Sequence, residues 1–191
     1  MLFNIPNSLT WARIALIPFF VGIYYLPDSA ISAEDKNLVA TVTFIAAAVT
    51  DWFDGYLART LGQTSAFGAF LDPVADKILI CACLLVLLEH GRVDSIVALI
   101  IIGREIAISA LREWMAHIGA SRSVAVHMLG KLKTVSQMVA IPFLLYDGRL
   151  LGIIDTRQWG TWLMFVAAVL TVWSMVYYLR KAIPEIRAKA K

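Results

Sequence analysis

Charged side chains are scarce in this sequence. They make up 16% of the 191 residues, whereas a soluble domain carries roughly 25%. Hydrophobic residues make up 60% and the mean hydropathy is +0.74. The apolar runs are long enough to cross a bilayer, which takes about 20 residues per helix. The composition therefore predicts an all-α polytopic membrane protein with a single domain, residues 1–191. The formal net charge of +3 gives no indication of a nucleic-acid partner.

Cysteine is nearly absent as well. Cys81 and Cys83 are the only two, and two positions apart on a helix they point about 200° away from each other. We therefore expect neither a mutual disulfide nor a shared metal ion, and we interpret both as small core residues. No lysine or arginine precedes the first apolar run, and Arg13 lies within it, so a cleaved signal peptide is not expected.

Six apolar segments are predicted to cross the membrane as helices. Because the number is even, both termini lie on the same side. Placing the termini in the cytoplasm puts 13 of the 17 lysines and arginines on that side, in agreement with the positive-inside rule. The predicted spans are about Leu9–Leu26, Leu38–Leu61, Ala69–Leu88, Ser95–Met115, Leu132–Leu145 and Trp159–Leu179.

Four aspartates interrupt the apolar pattern where the second span ends and the third begins. Asp51 and Asp54 are three residues apart, and Asp72 and Asp76 are four apart, so each pair shares one helix face. Ionisable groups at membrane depth are costly. Hard carboxylate oxygens suit Mg²⁺ or Mn²⁺ completed by substrate phosphates, and four carboxylates suit two ions acting on one phosphorus.

Small residues surround these acids. Gly55 and Ala58 leave the acidic stripe of the second span nearly bare, so a ligand could approach the backbone there. Arg59 lies on the same stripe and would bind phosphate in a bidentate manner. Gly68 begins the matching stripe on the third span, and the short connection between the spans lets the stripes face each other. The alternative is a metal-free network with Arg59 and Lys77, but two bases leave four acids unbalanced.

The whole pattern, Asp51-x2-Asp54-Gly55-x2-Ala58-Arg59-x8-Gly68-x3-Asp72-x3-Asp76, resembles the complete signature of the CDP-alcohol phosphatidyltransferase family. The resemblance implies that Asp51, Asp54 and Asp72 bind two divalent ions, Mg²⁺ or Mn²⁺. It also implies that Asp76 is both a metal ligand and the general base on the acceptor alcohol. The residues that it assigns to CDP-diacylglycerol are Asn7, Gly55, Ala58, Arg59, Ser65 and Gly68.

Five further segments extend the resemblance over nearly the whole chain. They are similar to the bacterial branch of the family that uses sn-glycerol 3-phosphate as the acceptor and forms phosphatidylglycerol phosphate and CMP. This branch implies an enzyme of anionic phospholipid biosynthesis, a homodimer, in the bacterial cytoplasmic (inner) membrane. The segments are FNIPNSLTWAR, VTDWFDG, GAFLDPVADK, REIAISALREWMA and GKLKT.

A phosphorylated acceptor requires further cations. Arg104 and Arg112 are eight residues apart, about 80° around the fourth helix, and are predicted to line one wall of the acceptor site. Lys131 and Lys133 begin the fifth helix and point about 160° apart. We favour Lys131 as the third cation because Thr134 shares its face. The alternative role for these cations is contact with lipid head groups at the membrane interface.

Other interpretations remain open. Within the family, the acceptor could be serine, inositol phosphate or a phosphatidyl lipid, because the metal site does not distinguish them. Glu105 and Glu113 could pair with the two arginines and hold them in place. Outside the family, divalent-cation or proton transporters also use intramembrane acids. Against transport, the chain shows no internal repeat, and the third span beyond Lys77 reads ILICACLLVLL, without a polar path.

Overall fold

The computed structural model describes residues 5–60, 65–119 and 128–189. Within these ranges the chain is helical apart from one short hairpin, and the six helices follow the order predicted from the sequence. The all-α class is therefore confirmed. The elements are α1 (Ile5–Tyr24), α2 (Ala33–Thr60), α3 (Ala66–Glu89), α4 (Ser95–His117), α5 (Met128–Tyr146), β1 (Arg149–Leu150), β2 (Ile154–Asp155) and α6 (Thr156–Lys189).

One helix in the described ranges is long and apolar enough to cross a membrane on its own. This is the stretch Thr156–Arg187 of α6, and Leu132–Tyr146 of α5 forms a shorter apolar helix. Polar and charged residues interrupt the other apolar segments, the catalytic candidates of α2 and α3 among them. Six membrane crossings therefore stay a prediction.

The helices are longer than the apolar segments suggest. α5 begins at Met128, and α6 continues to Lys189. α2 begins at Ala33, before the predicted start of the second span at Leu38, because Ser32 caps it. The Ser32 hydroxyl accepts a hydrogen bond from the Asp35 backbone N–H at 3.1 Å and donates to the Asp35 carboxylate at 2.7 Å. Ser32 is therefore the N-cap of α2, and these polar residues belong to the helix start and not to a loop.

The connection between α5 and α6 contains a β-hairpin that was not predicted. β1 pairs antiparallel with β2, and Leu150 lies opposite Ile154. The turn passes through Leu151 and Gly152, which have φ angles of 53° and 73°. Glycine adopts this left-handed conformation readily, but leucine rarely does. The hairpin was missed because residue composition gives little signal for a leucine in this conformation.

The core lies at the centre of the helical bundle. α1 packs on α2 and α3, α5 packs on α6 and α2, and α4 packs on α6. Cys83 is buried in the core, which confirms its interpretation as a core residue, whereas Cys81 is only half-buried and lies outside the core cluster. The largest fully buried apolar side chains are Tyr178, Phe20, Phe44, Leu84, Leu87, Ile101, Met115, Ile141, Leu144 and Leu145.

A polar network joins the ends of α2, α3 and α5. The Arg92 guanidinium lies 3.1 Å from Asp147 and donates hydrogen bonds to Asn37 Oδ1 at 2.8 Å and to the carbonyl oxygens of Leu144 and Leu145 at 3.2 and 2.9 Å. These bonds fix the start of α2 against the end of α5. We call the network the Arg92 cluster and define it as Asn37, Arg92, Asp147 and Arg157, the last of which lies 3.9 Å from Asp147.

Candidate active site

The first helix gathers the aspartates of the second and third. Arg13 Nη1 lies 2.7 Å from Asp51 Oδ1 on α2 and 2.7 Å from Asp76 Oδ1 on α3. Thr10, one turn earlier on α1, donates a hydrogen bond to Asp72 Oδ1 at 2.6 Å. Residues three apart share a helix face, and Arg13 and Thr10 are both buried. Three of the four predicted metal ligands therefore converge on one face of α1.

Arg13 holds its two carboxylates close together. Because Asp51 Oδ1 and Asp76 Oδ1 both contact the same nitrogen, no more than twice 2.7 Å separates them. Two carboxylates at this distance repel each other, and the guanidinium offsets the repulsion. The aspartate side chains nevertheless remain 38% and 37% exposed, whereas the Arg13 side chain is wholly buried. The acids are thus fixed from one side and accessible from the other.

The carboxylate donors fit a hard divalent cation. Mg²⁺ takes oxygen ligands at about 2.0–2.1 Å, so two oxygens that share one ion lie roughly 3 Å apart. A small side-chain movement would bring the oxygens of Asp51 and Asp76 to that separation. Among the side chains that the structure describes, no three His, Cys, Asp or Glu residues are already grouped to hold an ion. The convergence and chemistry of the acids, without a preformed cage, support the predicted metal.

Several predicted site residues lie outside the described side chains. The backbone of α2 continues through Asp54, Gly55, Ala58 and Arg59, but the structure does not describe their side chains. The same holds for Lys131 on α5. Their assignments to metal, CDP-diacylglycerol and acceptor phosphate stay predictions.

Asn7, Ser65 and Gly68, all predicted to contact CDP-diacylglycerol, contact one another. Asn7 Nδ2 donates to Ser65 Oγ at 3.3 Å. Ser65 Oγ also accepts from the Gly68 backbone N–H at 3.0 Å, and this cap starts α3 at Ala66, earlier than predicted. A Cβ atom on Gly68 would lie 2.5 Å from Asn7 Oδ1, so glycine allows α1 and α3 to approach. The three residues position the acidic end of α3 against α1.

A cavity of about 200 Å³ lies beside Asp76. Its charged and polar lining comes from α3, α4 and α5. Lys133 Nζ donates a hydrogen bond to Glu105 Oε1, and Lys133 is only 2% exposed. The cavity therefore places a buried cation beside a candidate base, as the binding of a phosphorylated alcohol requires. The lining residues are Pro73, Asp76, Lys77, Ile80, Glu105, Lys133, Thr134, Gln137 and Met138.

Of the two lysines at the start of α5, Lys133 lines this cavity. The sequence favours Lys131, and that choice stays a prediction because the structure does not describe the Lys131 side chain. Thr134 lines the cavity too, so sharing a face with Thr134 did not distinguish the two lysines. One signal was available in the sequence. Lys133 and Gln137 are four residues apart in an apolar helix and so share one face, and that face is the buried one.

Arg104 and Arg112 face α6. Their guanidinium carbons lie 5.8 and 5.4 Å from the centre of the Tyr178 ring, which is within the range of a cation–π contact. Arg104 Nη1 also lies 3.6 Å from Glu105 Oε1, so Glu105 pairs with an arginine as the sequence suggested. Neither arginine lines the cavity beside Asp76. The structure brings the two predicted acceptor arginines together with each other, but not with the candidate base.

Comparison with known proteins points to the same chemistry. Residues 3–173 match the family model described as CDP-alcohol phosphatidyltransferase. Over 184 residues, the chain is 50% identical to the CDP-diacylglycerol–glycerol-3-phosphate 3-phosphatidyltransferase of Escherichia coli (strain K12). It is 49% identical over the same length to the protein of that description from Salmonella typhimurium (strain LT2). Each alignment covers 95% of this chain and 96% of the relative.

Proposed function

The chain belongs to the CDP-alcohol phosphatidyltransferase family, and we propose that it transfers the phosphatidyl group of CDP-diacylglycerol to sn-glycerol 3-phosphate. The products are phosphatidylglycerol phosphate and CMP, which makes the protein a transferase of phospholipid biosynthesis. The names of relatives that align over nearly the whole chain support this donor and acceptor. The structural observation that supports it most strongly is the convergence of Asp51, Asp72 and Asp76 on α1. The last of these acids lines a cavity together with the buried Lys133.

Asp76 is the general base in this mechanism. Its side chain lines the acceptor cavity, where it takes the proton from the free terminal hydroxyl of sn-glycerol 3-phosphate. The hydroxyl oxygen attacks the β-phosphorus of CDP-diacylglycerol in line, and a new P–O bond forms as the P–O bond to CMP breaks. CMP leaves with the bonding electron pair, and Asp76 later releases its proton to water. A positioned base of this kind contributes about 10²–10⁴-fold.

The family is generally dependent on divalent cations. We assign two Mg²⁺ or Mn²⁺ ions to Asp51, Asp54, Asp72 and Asp76. When bound, such ions neutralise the charge of the pyrophosphate and of the departing CMP. Arg13 contributes by holding Asp51 and Asp76 at a short separation from α2 and α3. Thr10 fixes Asp72 in the same way.

The CDP-diacylglycerol head group is assigned to the ends of α1, α2 and α3 around these acids. Arg59 would bind the pyrophosphate in a bidentate manner. The hydrogen bond between Asn7 and Ser65 supports this assignment, because it brings two of the assigned residues together at the N-terminal end of α3. The remaining contacts that we assign to the donor are Gly55, Ala58 and Gly68.

The acceptor phosphate is assigned first to Lys133, which shares the cavity with Asp76. We assign three further cations to the acceptor phosphate, Arg104 and Arg112 on α4 and Lys131 on α5. A cavity of about 200 Å³ accommodates a small phosphorylated alcohol, as this assignment requires.

The surface of the bundle supports a membrane location. Each helix exposes large apolar side chains, which a soluble monomer rarely does over such an area. We propose six crossings, with both termini and the acids at the cytoplasmic face of the bacterial inner membrane, on the basis of the charge distribution. Exposed examples, one from each helix in order, are Phe19, Ile45, Leu85, Leu99, Val135 and Phe165.

We further propose that residues 1–191 form one domain and that the protein is a homodimer. The family match over residues 3–173 supports the first proposal, and the second rests on the family resemblance. Chemical cross-linking in native membranes tests the dimer, because a monomer would give no cross-linked species at low protein density.

An acceptor panel tests the proposed function. The purified protein is supplied with CDP-diacylglycerol and Mg²⁺ and offered sn-glycerol 3-phosphate, serine or inositol phosphate, and CMP release is followed. We expect release with sn-glycerol 3-phosphate alone. Faster release with another acceptor would change the acceptor assignment, and no release with any of them would overturn the proposed reaction.

A further inference from the structure

Gln137 is a buried polar residue that the mechanism above does not use. It lies on α5, is 3% exposed and lines the cavity beside Asp76. Its carboxamide makes no hydrogen bond to the part of the chain that the structure describes. Buried polar side chains are nearly always hydrogen-bonded. The carboxamide atoms of Gln137 are not among the fully buried polar atoms without a partner, so they are accessible from the cavity that the residue lines. A ligand in the cavity can therefore complete their hydrogen bonds.

Four charged residues share the cavity with Gln137, namely Asp76, Lys77, Glu105 and Lys133, and three of them already have partners in the described structure. Lys133 and Glu105 bind each other, Glu105 also lies near Arg104, and Asp76 contacts Arg13. Gln137 adds a neutral group that can both donate and accept. A hydroxyl group is also both a donor and an acceptor, so the carboxamide is suited to recognise a hydroxyl.

We propose that Gln137 is a specificity-determining residue that binds the central hydroxyl of sn-glycerol 3-phosphate. This inference rests on the proposed function. Lys133 and Gln137 lie one turn apart on the same face of α5, about 6 Å along the helix axis, and Asp76 faces the same cavity from α3. The acceptor carries its phosphate, central hydroxyl and reacting hydroxyl in that order. Phosphate at Lys133 and reacting hydroxyl at Asp76 leave the central hydroxyl for Gln137.

The cavity has room for such an acceptor. Its volume is about 200 Å³, or roughly seven water molecules at about 30 Å³ each. A three-carbon phosphate fills such a space and must contact the lining. The enzyme should therefore distinguish a phosphorylated diol from an alcohol phosphate that has the same chain length but no central hydroxyl.

Two acceptors and one substitution test the inference. The wild type and Gln137→Leu are assayed for CMP release with sn-glycerol 3-phosphate and with 3-hydroxypropyl phosphate, which lacks only the central hydroxyl. We expect the variant to lose about tenfold to a hundredfold in kcat/KM for sn-glycerol 3-phosphate, the size expected for a buried hydrogen bond to substrate. Its kcat/KM for 3-hydroxypropyl phosphate should stay within about twofold of the wild-type value.

The comparison of acceptors separates recognition from folding. Both acceptors are measured on the same preparation, so a smaller folded fraction lowers both rates and leaves their ratio unchanged. Gln137→Met keeps the unbranched chain and serves as a second apolar variant. Ser136→Ala changes a polar residue of the same helix that does not line the cavity, and its ratio should equal that of the wild type.

Three results would overturn the inference. An equal loss with both acceptors would show that Gln137 only supports the fold. No loss with either acceptor would show that it does not contact the substrate. No CMP release by the wild type with either acceptor would overturn the proposed function itself, which distinguishes that failure from the other two.

Discussion

Arg13 and Arg92 each pair with aspartate, at opposite ends of the bundle. Their contacts on α2, Asp51 and Asn37, are fourteen positions apart, about 21 Å along the helix axis. Arg92 divides its donors among one carboxylate, one amide and two backbone carbonyls. Arg13 contacts carboxylates of two helices, both of which remain more than a third exposed, and one of them, Asp76, lines a cavity. The Arg92 cluster ties helix ends together, whereas the contacts of Arg13 leave the two acids accessible to a ligand.

The two sites provide a criterion that distinguishes a structural ion pair, such as Arg92 with Asp147, from one in a candidate active site, such as Arg13 with Asp76. A structural network satisfies its charges with unlike groups and with backbone, at little electrostatic strain. Arg13 holds Asp51 and Asp76 close together although the two carboxylates repel each other. Such unfavourable local arrangements occur mainly at functional sites. Substitutions at the Arg92 end should therefore affect stability, whereas those at the Arg13 end should affect turnover.

The matched pair Asp76→Asn and Asp147→Asn should separate the two ends most strongly. Asp76→Asn removes the proposed general base, and we expect turnover to fall by about 10²–10⁴-fold. Binding of CDP-diacylglycerol should be largely retained, since the other acids remain. Asp147→Asn should keep kcat within about twofold, because Asp147 contacts only Arg92 and Arg157 in the ion pairs described. CMP release and donor binding measure both, and near-normal turnover by Asp76→Asn would contradict the base assignment.

Arg92→Ala should lower stability without changing the chemistry. Removal of Arg92 takes the nearest cation from Asp147 and a donor from Asn37 and from two carbonyl oxygens, and loss of one partner of a buried ion pair costs about 3 kcal/mol or more. The melting temperature in detergent should fall by several degrees, while kcat per folded molecule is unchanged. Arg149→Ala, an exposed residue of the hairpin, is the control. A melting temperature equal to that of the wild type would contradict a structural role for the Arg92 cluster.

Gly68→Ala should disturb the approach of α1 to α3. The new Cβ would lie 2.5 Å from Asn7 Oδ1, and overpacking of this kind costs about 1–3 kcal/mol. Gly103→Ala is the matched control, because no atom lies within 4 Å of its Cβ, and the substitution should be neutral or stabilise by up to about 1 kcal/mol. Thermal unfolding measures both, and equal effects at the two positions would contradict the close approach at Gly68.

The smallest expected effect is a pH dependence near the Arg92 end. The hydrogen bond from Lys36 and its charge lower the pKa of Asp28 from its ordinary value of 3.8. The pair therefore stabilises the fold above that ordinary value, and the contribution is lost as the pH falls through the lowered pKa. Asp28 is fully exposed, so the effect is small. The melting temperatures of wild type and Asp28→Asn should differ slightly at pH 7 and converge in acid, and a difference that persists in acid would contradict this pairing.

The helices and their order could be predicted because long apolar runs leave few alternatives in a membrane. The four-residue spacing of Asp72 and Asp76 also predicted that these two acids share one face of α3, and both contact α1. The helix starts were less accurate. Ser32 and Ser65 carry cap signals that extend α2 and α3, but their polar surroundings resembled loops.

The contacts between helices could not be predicted from one sequence. Arg13 and Asp76 are 63 positions apart, and spacing within a helix says nothing about how it is rotated against its neighbours. For the same reason Lys133 was passed over for Lys131, because its partner Glu105 lies on another helix. Tyr178, which lies between Arg104 and Arg112, was missed on the same ground. In each case the sequence does not determine how a helix is rotated about its axis relative to its neighbours.

The stoichiometry of the products tests most directly the central claim that the acids gathered by Arg13 carry out phosphatidyl transfer. Purified wild type and Asp76→Asn are supplied with CDP-diacylglycerol, sn-glycerol 3-phosphate and Mg²⁺, and CMP and the lipid product are both quantified. We predict CMP and phosphatidylglycerol phosphate in equal amounts from the wild type and almost none of either from the variant. CMP without the lipid product, or equal formation of both by Asp76→Asn, would contradict the account.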